Sequence, residues 1–349
     1  MNAPDPSYGR RLDFRQGRVD MAHGAGGRAM AQLIDELFVA AFDNEWLRQM
    51  NDQARFAVSA DRMVMATDCH VVSPLFFPGG DIGSLAVHGT VNDVAMSGAR
   101  PCYMAAGFIL EEGFPLADLR RIVESMAAAA KAAEIAIVTG DTKVVERGKG
   151  DGVFITTTGV GVVPEGVEIS GDRARPGDKV LLSGNIGDHG VAIMSFRENL
   201  SFETRIRSDS APLHGLVAAM VARVPAIHCL RDPTRGGLAT TLNEFARQSA
   251  VGIRIDEQAI PVRPEVASAC EFLGLDPLYV ANEGKLVAIC APQDAAPLLE
   301  AMRAHPLGRD AALIGEVIED PRRFVQMQTV LGGSRMVDWL AGEQLPRIC

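Results

Sequence analysis

Short runs rich in Val and Ile alternate along this chain with longer amphipathic stretches rich in Ala and Leu. The strand-type runs are residues 62–67, 103–110, 135–139, 153–163, 179–183 and 285–290, and the helix-type stretches are 28–42, 84–97, 114–133 and 237–249. Strands that alternate with helices pack as sheets covered by helices. The pattern therefore predicts an α/β fold with α+β mixed sheets.

The length of 349 residues favours two domains over one hydrophobic core. A stretch rich in Gly, Pro and charge at 164–178 separates two groups of predicted elements. We expect an N-terminal domain at 20–164 and a C-terminal domain at 165–342. Residues 343–349 then form a flexible tail, whose extended length is at most roughly 25 Å.

Charge and composition exclude several classes of partner. A formal net charge of −10 argues against nucleic acid, because binding to a phosphate backbone needs excess Lys and Arg. No apolar run reaches the ~18 residues of a membrane span, and no secretory signal is recognisable at the N-terminus. We expect five of the six cysteines to be small buried residues in a reducing cytoplasm.

The stretch AHGAGGRAM leads directly into a predicted helix. Its residues His23, Gly24, Gly26 and Gly27 would let the backbone approach a ligand closely, and the helix N-terminus offers free N–H groups to an anion. It matches neither a Walker P-loop nor GxGxxG. Phosphate binding and a plain loop before a helix both remain open on this motif alone.

Three acids lie close to glycine-containing turns at the ends of apolar segments. Asp68 ends the run RMVMAT, Asp93 follows Asn92 in GTVNDVAMSGA, and Asp141 follows IAIVT. Mg²⁺ prefers hard oxygen ligands and is commonly shared between carboxylates and substrate phosphates. The three acids are therefore candidate magnesium ligands, although any single one could be a turn or helix cap.

Three further segments contain charged or polar residues that could take part in catalysis or ligand binding. Lys143, in GDTKVVE, could neutralise phosphate, act as a base or be a solvated surface residue. The motif DPTRGG places Asp232, Thr234 and Arg235 at a helix start, where an anion could bind. Glu283, in ANEGKLV, is either a turn residue or a general base exposed at the start of a strand.

Together these motifs resemble the hydrogenase maturation factor HypE family, which belongs with aminoimidazole ribonucleotide synthetase, thiamine-monophosphate kinase and selenophosphate synthetase. The resemblance covers nearly the whole chain and includes AHGAGGRAM, GTVNDVAMSGA, IVTGDTKVVERG, LSGNIGDHG, DPTRGG, VANEGKLV and the terminal PRIC. TDCHVVSP departs from the family pattern, because Cys69 and His70 replace a serine-like residue and an aromatic one. Residues 1–19 look like a variable extension.

The resemblance implies an activity centred on Cys349. The carbamoyltransferase HypF would carbamoylate this thiol, and the chain would use ATP to dehydrate the S-carbamoyl group to an S-cyanate. The nitrile would pass to a HypC–HypD scaffold and become a cyanide ligand of iron in a [NiFe]-hydrogenase. Phosphorylation of the amide oxygen makes it a good leaving group, and phosphoryl transfer depends mainly on positioning and charge neutralisation.

The resemblance also implies a set of site residues. Lys143 and Glu283 would assist proton transfer in either order, Cys349 would carry the group, and Asp68, Asp93 and Asp141 would hold Mg²⁺. Nucleotide and phosphate would contact His23, Gly24, Gly26, Gly27, Asn92, Asp232, Thr234 and Arg235. The family is homodimeric through its first domain, with ATP near the interface, and the tail could act within its own subunit or across the dimer.

Two other functions remain possible at this stage. The chain could be a small-molecule kinase or synthetase of the same superfamily, which would need no tail. It could also be a thiol carrier, in which Cys349 only transports a sulfur-bound group.

Overall fold

The computed structural model describes residues 11–25, 27–49, 53–54, 56–57, 62–198, 206–340 and 347–349. Gly26, the first ten residues of the predicted extension 1–19, and residues 343–346 of the predicted tail lie outside these ranges. No helix in the described part of the chain has both the length and the apolar character that a membrane crossing requires.

The first half of the chain contains a four-stranded sheet in the order β1-β6-β4-β5. Its strands are β1 (Met63–His70), β4 (Arg100–Glu111), β5 (Ala136–Val145) and β6 (Val153–Val162), and a two-stranded hairpin pairs β2 (Phe76–Phe77) with β3 (Gly80–Asp81). β4 and β5 run parallel, whereas β1 and β4 are both antiparallel to β6. Its helices include α3 (Ile82–Ala95) and α4 (Leu116–Ala132).

Helix α4 shows why these helices cover one side of the sheet. Leu116, Leu119, Ile122, Val123 and Met126 recur at helical spacing and are all buried. Along β1, in contrast, exposed and partly buried residues alternate, as expected for a strand with one open side. In the described part of the chain, helices therefore cover one face of the sheet, and the other face is largely open.

The uncovered side of the four-stranded sheet is called the open face below. It carries Met63, Met65 and Ile109, which are 51%, 73% and 43% exposed. Large apolar side chains that share one exposed sheet face are typical of a surface that binds another protein.

The second half contains a seven-stranded sheet in the order β13-β12-β9-β11-β7-β10-β8. Its strands are β7 (Lys179–Leu182), β8 (Cys229–Arg231), β9 (Gly252–Asp256), β10 (Val287–Cys290), β11 (Ala312–Ile318), β12 (Val325–Gln328) and β13 (Ser334–Met336). Its helices are α5 (Asp188–Arg197), α6 (His214–Arg223), α7 (Gly237–Ser249), α8 (Pro264–Leu273) and α9 (Ala295–Ala304). β9 and β12 pair in parallel and the other neighbours are antiparallel. The mixed sheets confirm the predicted fold class.

The N-terminal segment adds a short helical unit beside the first sheet. A 3₁₀ turn at Met21–Gly24 precedes α1 (Arg28–Leu33), a π-helical stretch (Ile34–Val39) and α2 (Ala40–Phe42). These three consecutive pieces cover the helix predicted at 28–42, and α7 coincides with the helix predicted at 237–249.

Two strands extend beyond their predicted ends. β1 continues to His70, so Asp68 lies within it, and β5 continues to Val145, so Asp141 and Lys143 also lie inside a strand. The apolar run stops before the backbone pairing does, because these positions include polar side chains. The prediction that Asp68 and Asp141 follow their strands is therefore wrong.

The cysteines are also less uniform than expected. Cys229, Cys270 and Cys290 are buried as predicted, and burial raises the pKa of the Cys229 thiol to about 12. Cys69, however, is exposed on β1 and Cys102 is half-buried. The prediction of five buried cysteines is wrong for these two.

Candidate active site

The last three residues of the chain are docked against the body of the protein. The side chain of Ile348 is only 3% exposed and belongs to the apolar core of the first half. Arg347 forms an ion pair with Asp151. Cys349 is half-buried at the edge of the same core, so the thiol lies within the folded chain that carries it.

Glu283 is in contact with the Cys349 thiol. Its side chain is buried, and its Oε1 has no hydrogen-bond partner in the described structure. Burial raises the pKa of Glu283 well above its ordinary value, and Asp232 and Asp209 add to the effect. Burial also raises the pKa of the Cys349 thiol, with a further contribution from Glu283. Of the two alternatives predicted for Glu283, the exposed base is wrong because the side chain is buried, whereas the turn residue agrees with the bend at Glu283 before β10.

Asp68, Asp93 and Asp232 interact electrostatically with one another and with the Glu283–Cys349 pair. Burial and Asp68 raise the pKa of Asp93 to about 6, and burial and Asp93 raise the pKa of Asp232 to about 7. Asp68 also raises the pKa of Cys349. Carboxylates that destabilise one another's charge form a favourable environment for a cation. Asp68 and Asp93 could supply two hard oxygen ligands to a divalent ion of the predicted kind, whose remaining ligands would have to come from phosphate or water.

The third predicted metal ligand, Asp141, lies elsewhere in the chain. It shares a cross-strand row with Gly107, Thr156 and Cys69, so its side chain is on the sheet face opposite to that of Asp68. Three strand spacings separate β1 from β5, or roughly 14 Å. The structure therefore does not join the three predicted ligands within one chain, and no group of three potential metal-ligating side chains occurs among the described residues.

Lys143 lies beside Asp141 on the open face. Its Nζ is 2.9 Å from Asp141 Oδ2, and both side chains are 63% exposed. The hydrogen bond from Lys143 lowers the pKa of Asp141. Lys143 is consequently not placed next to Cys349 of its own chain.

Asn92 does not have the free amide that was expected for a phosphate contact. Its Nδ2 donates to the carbonyls of Ala211 and Glu283 at 3.1 and 3.2 Å, and its Oδ1 accepts from Leu213 N–H at 2.7 Å. These bonds give Asn92 a structural role, because they fix the backbone at Glu283, and its predicted nucleotide contact stays a prediction.

The predicted glycine loop packs against strand β5. A Cβ at Gly24 would lie 2.6 Å from the Val144 backbone nitrogen, so this position requires glycine. His23 is buried, and its Nδ1 accepts from Asp20 N–H at 3.0 Å, which gives it a local capping role. Gly27 precedes α1 with open space around it, and Gly26 lies outside the described residues.

A cavity of about 540 Å³ lies between the N-terminal helical segment and strand β5. Its lining is mostly apolar and includes Phe38, Phe42, Trp46 and Ile137, with Asp141 at its polar side. This volume is in the usual range for a small-molecule pocket.

The motif DPTRGG forms a tight turn before helix α7. Gly237 has a φ of 60°, and a Cβ there would lie 2.5 Å from the Leu278 carbonyl oxygen. Gly237 N–H donates to the carbonyl of Thr234 at 2.9 Å. The charge of Arg235 lowers the pKa of both Asp93 and Cys349. Asp232 and Arg235 are thus within electrostatic range of the Glu283–Cys349 pair, and Thr234 lies between them in the turn.

The segment Ser208–Ser210 was missed by the sequence analysis. Asp209 accepts from Glu283 N–H at 3.1 Å and from Lys285 Nζ at 3.0 Å, and Ser208 Oγ lies 2.8 Å from His189 Nδ1. Gly284 permits this approach, because a Cβ there would lie 1.9 Å from the Asp209 carbonyl oxygen. The run Ser-Asp-Ser was the only available signal, and it matches no motif.

Two models of one protein family match most of the chain. The AIR synthase related protein N-terminal domain matches residues 50–163, and the C-terminal domain of the same family matches 175–328. The chain is 74% identical over 339 residues to carbamoyl dehydratase HypE of Azotobacter vinelandii, covering 97% of this chain and 99% of the relative.

Two solved structures share the fold over most of the chain. A hydrogenase maturation protein HypE in complex with ATP has a TM-score of 0.92 at 52% identity, covering 95% of this chain and 99% of that one. A HypE–HypF complex has a TM-score of 0.78 at 52% identity, covering 88% and 99%. The predicted family is confirmed: the chain belongs to the carbamoyl dehydratase HypE family, within the AIR synthase related proteins.

Proposed function

We propose that this protein uses ATP to dehydrate an S-carbamoyl group on Cys349 to an S-cyanate, which supplies the cyanide ligand of [NiFe]-hydrogenase iron. The observation that carries the proposal is the contact between the Cys349 thiol and the buried, partly unpartnered carboxyl of Glu283. A carbamoyl group on the sulfur would extend into the same acidic surroundings. The dehydratase name of the relatives supports this reaction.

The proposed reaction has two chemical steps. The carbamoyl oxygen attacks the γ-phosphorus of ATP, which releases ADP and forms an O-phosphorylated thiocarbamate. Loss of phosphate and of the nitrogen-bound protons then leaves the carbon–nitrogen triple bond of the S-cyanate. Phosphate leaves far more readily than hydroxide, so phosphorylation by ATP makes cleavage of the C–O bond possible.

Glu283 is the proposed base for a nitrogen-bound proton, because it is the carboxyl that contacts the sulfur. A carboxylate with a raised pKa is a stronger base than an exposed one once it is ionised. A nearby Mg²⁺ held by Asp68 and Asp93 would favour that ionised form and neutralise phosphate charge. Burial keeps water away from the reacting carbon.

Lys143 and Asp141 are proposed to act from a second copy of the chain. Both lie on the open face, which also carries Met63, Met65 and Ile109. A homodimer that pairs two open faces would bury these apolar side chains and bring the charged pair onto the neighbouring subunit. Asp141 would then lie at the interface between the two copies, and the magnesium role predicted for it stays a prediction.

ATP is proposed to bind in the N-terminal domain near this interface. The ATP-bound structure of a relative supports nucleotide binding. The glycine loop with Gly24, Gly26 and Gly27 and the pair Thr234 and Arg235 would contact phosphates, and the cavity beside β5 has room for a base. Residues 20–164 and 165–342 remain the proposed domain boundaries.

The proposed partners are the carbamoyltransferase HypF and a HypC–HypD scaffold in the cytoplasm. The HypE–HypF complex of a relative supports the first of these. The reactive sulfur must therefore meet one partner that adds the carbamoyl group and another that removes the cyanide.

Mass analysis of the terminal peptide tests the proposal directly. HypF with its carbamoyl donor should add one carbamoyl group to Cys349, and ATP should then remove one water from the modified peptide. A carbamoyl adduct that persists with ATP would indicate a carrier. Phosphorylation of a small molecule without any change at Cys349 would indicate a kinase or synthetase.

A further inference from the structure

The motif NIGDHG has no role in the proposed reaction, yet it leads into α5, one of the elements that hold the chain terminus. His189 Nε2 lies 2.8 Å from the carbonyl oxygen of Ile348, and Arg197 Nη2 donates to the carbonyl of Arg347 at 3.0 Å. His189 and Arg197 thus contact consecutive carbonyls from the two ends of one helix.

The other half of the protein contributes main-chain donors to the same segment. Ser73 N–H donates to the Arg347 carbonyl at 3.1 Å, and Val71 N–H donates to a main-chain oxygen of Cys349 at 3.2 Å. Residues 347, 348 and 349 therefore each have a donor to a main-chain oxygen, and the donors come from both halves of the chain.

The imidazole of His189 is held in the tautomer that this contact needs. Ser208 Oγ accepts from Ser210 N–H at 3.1 Å and lies 2.8 Å from His189 Nδ1, so its hydroxyl hydrogen is free to point at Nδ1. Nδ1 then accepts, and Nε2–H donates to the Ile348 carbonyl. Burial lowers the pKa of His189, which favours this neutral form.

Ile348 supplies the side-chain anchor. It is buried in an apolar cluster that also contains Ile193 of α5 and Ala281. Arg347 has a φ of 54°, a backbone conformation that residues other than glycine rarely adopt without supporting contacts. These contacts hold the segment through its backbone and the Ile348 side chain, and among the described residues the sulfur has its hydrogen bond with Glu283.

We propose that residues 71–73 and helix α5 form a binding site for the peptide Arg-Ile-Cys that recognises its carbonyls and the Ile348 side chain, whatever group the sulfur carries. The identity of those sulfur groups rests on the proposed function. Recognition of the backbone lets the thiol, its carbamoyl form and its cyanate dock in the same register. The site therefore also binds this peptide as a separate molecule.

Alkylation of Cys349 in the full-length chain tests the anchor. We expect iodoacetamide to modify Cys349 at least about tenfold faster in Ile348→Asp than in the unaltered chain, as followed by mass spectrometry of the terminal peptide. His189→Leu should accelerate the reaction about fivefold, and His189→Gln, which keeps a donor, should accelerate it less. The exposed neighbour Phe196→Ala is the control. Equal rates in Ile348→Asp and the unaltered chain would overturn the proposal.

Peptide binding tests recognition independently of any His189 variant. The Ile348→Asp chain has an open site, so a fluorescein-labelled peptide with the sequence of residues 344–349 should bind it with a rise in anisotropy. Replacing the peptide's cysteine with serine or S-methylcysteine should change the Kd less than about threefold, whereas aspartate in place of isoleucine should weaken binding about tenfold or more. Loss of binding on cysteine replacement would refute sulfur-independent recognition.

These measurements need neither ATP nor a carbamoyl group. A chain that docks its peptide but never loses water would therefore refute the proposed reaction and leave this inference intact. A chain that dehydrates Cys349, but whose alkylation rate and peptide binding do not depend on Ile348, would support the proposed reaction and refute this inference.

Discussion

On the two sides of the four-stranded sheet, the pKa values of aspartates are shifted in opposite directions. On the covered side, Asp93 and Asp232 have pKa values of about 6 and 7, raised first by burial and then by neighbouring carboxylates. On the open face, Asp141 is exposed and its pKa is lowered by the hydrogen bond from Lys143. Residues of one type thus repel one another in one place and are ion-paired in the other.

This difference shows that a motif does not determine the chemistry of its acid. Asp68 and Asp141 both follow short apolar runs, yet a single sheet separates their side chains. The covered side brings Glu283 and Cys349 together within one chain, whereas the role proposed for the open face requires a second copy of the chain. The following predictions test this difference between the covered side and the open face.

The largest effect is expected on the covered side. Glu283→Gln should slow dehydration of carbamoylated Cys349 by about 10³-fold, because the amide cannot accept a proton from nitrogen. The readout is the rate of water loss by intact-protein mass spectrometry. Glu265→Gln, at an exposed glutamate on α8, should leave that rate unchanged. A Glu283→Gln chain with normal dehydration would remove this residue from the mechanism.

Lys143→Ala should slow dehydration by about 10²-fold while still accepting the carbamoyl group. Because Lys143 is proposed to act across the dimer, mixing Lys143→Ala chains with Cys349→Ala chains should restore water loss on the first of them. The mass of each chain identifies which one has reacted. Failure of the mixture, with subunit exchange verified, would place Lys143 outside the neighbouring site.

Met65→Asp should weaken self-association of the chain by at least about tenfold, since it puts a charge on the most exposed apolar side chain named on the open face. Analytical ultracentrifugation over a concentration series measures the change. Leu331→Asp is the matched control, because Leu331 is 97% exposed but lies outside that face. Equal dissociation of both variants, or of neither, would contradict dimerisation through the open face.

The smallest effect is on stability. The folded chain raises the pKa of Asp232 from 3.8 to about 7, so the stability this residue contributes is present below its unfolded pKa and is lost as the pH rises toward 7. Asp232→Asn cannot ionise and should gain about 2 kcal/mol over the unaltered chain between pH 4 and 7. Asp141→Asn should show no such gain. Urea unfolding at several pH values would decide, and parallel curves for both variants would count against the assigned burial.

Most of the helices could be predicted because their apolar spacing matches their burial. In α7, for example, Leu238, Leu242, Phe245 and Ala246 form one buried stripe that begins after a glycine turn. The ends of β1 and β5 could not be predicted, since backbone pairing continues through exposed polar positions where the hydrophobic signal has already stopped.

The candidate site could be predicted only in part. Family motifs pointed to Asp68, Asp93, Glu283 and Cys349, which the fold brings together. The burial of Glu283 depends on contacts distant in sequence, such as the hydrogen bond that its backbone N–H donates to the Asp209 carboxylate. No local sequence pattern encodes these contacts. Likewise, Asn92 looked like a ligand because amide side chains bind both phosphate and backbone, and only the fold shows which one is present.

Asn92 has one more consequence, because it is adjacent in sequence to Asp93. Its amide ties helix α3 to the carbonyl of Glu283 at 3.2 Å. A shift of this helix when an ion or nucleotide reaches Asp93 would therefore move the backbone of Glu283 with it. Binding of an ion or nucleotide at Asp93 would then be coupled to proton transfer at Glu283 through the Asn92 side chain. Helix α3 and residue 283 should move as one rigid body between the free and the liganded forms.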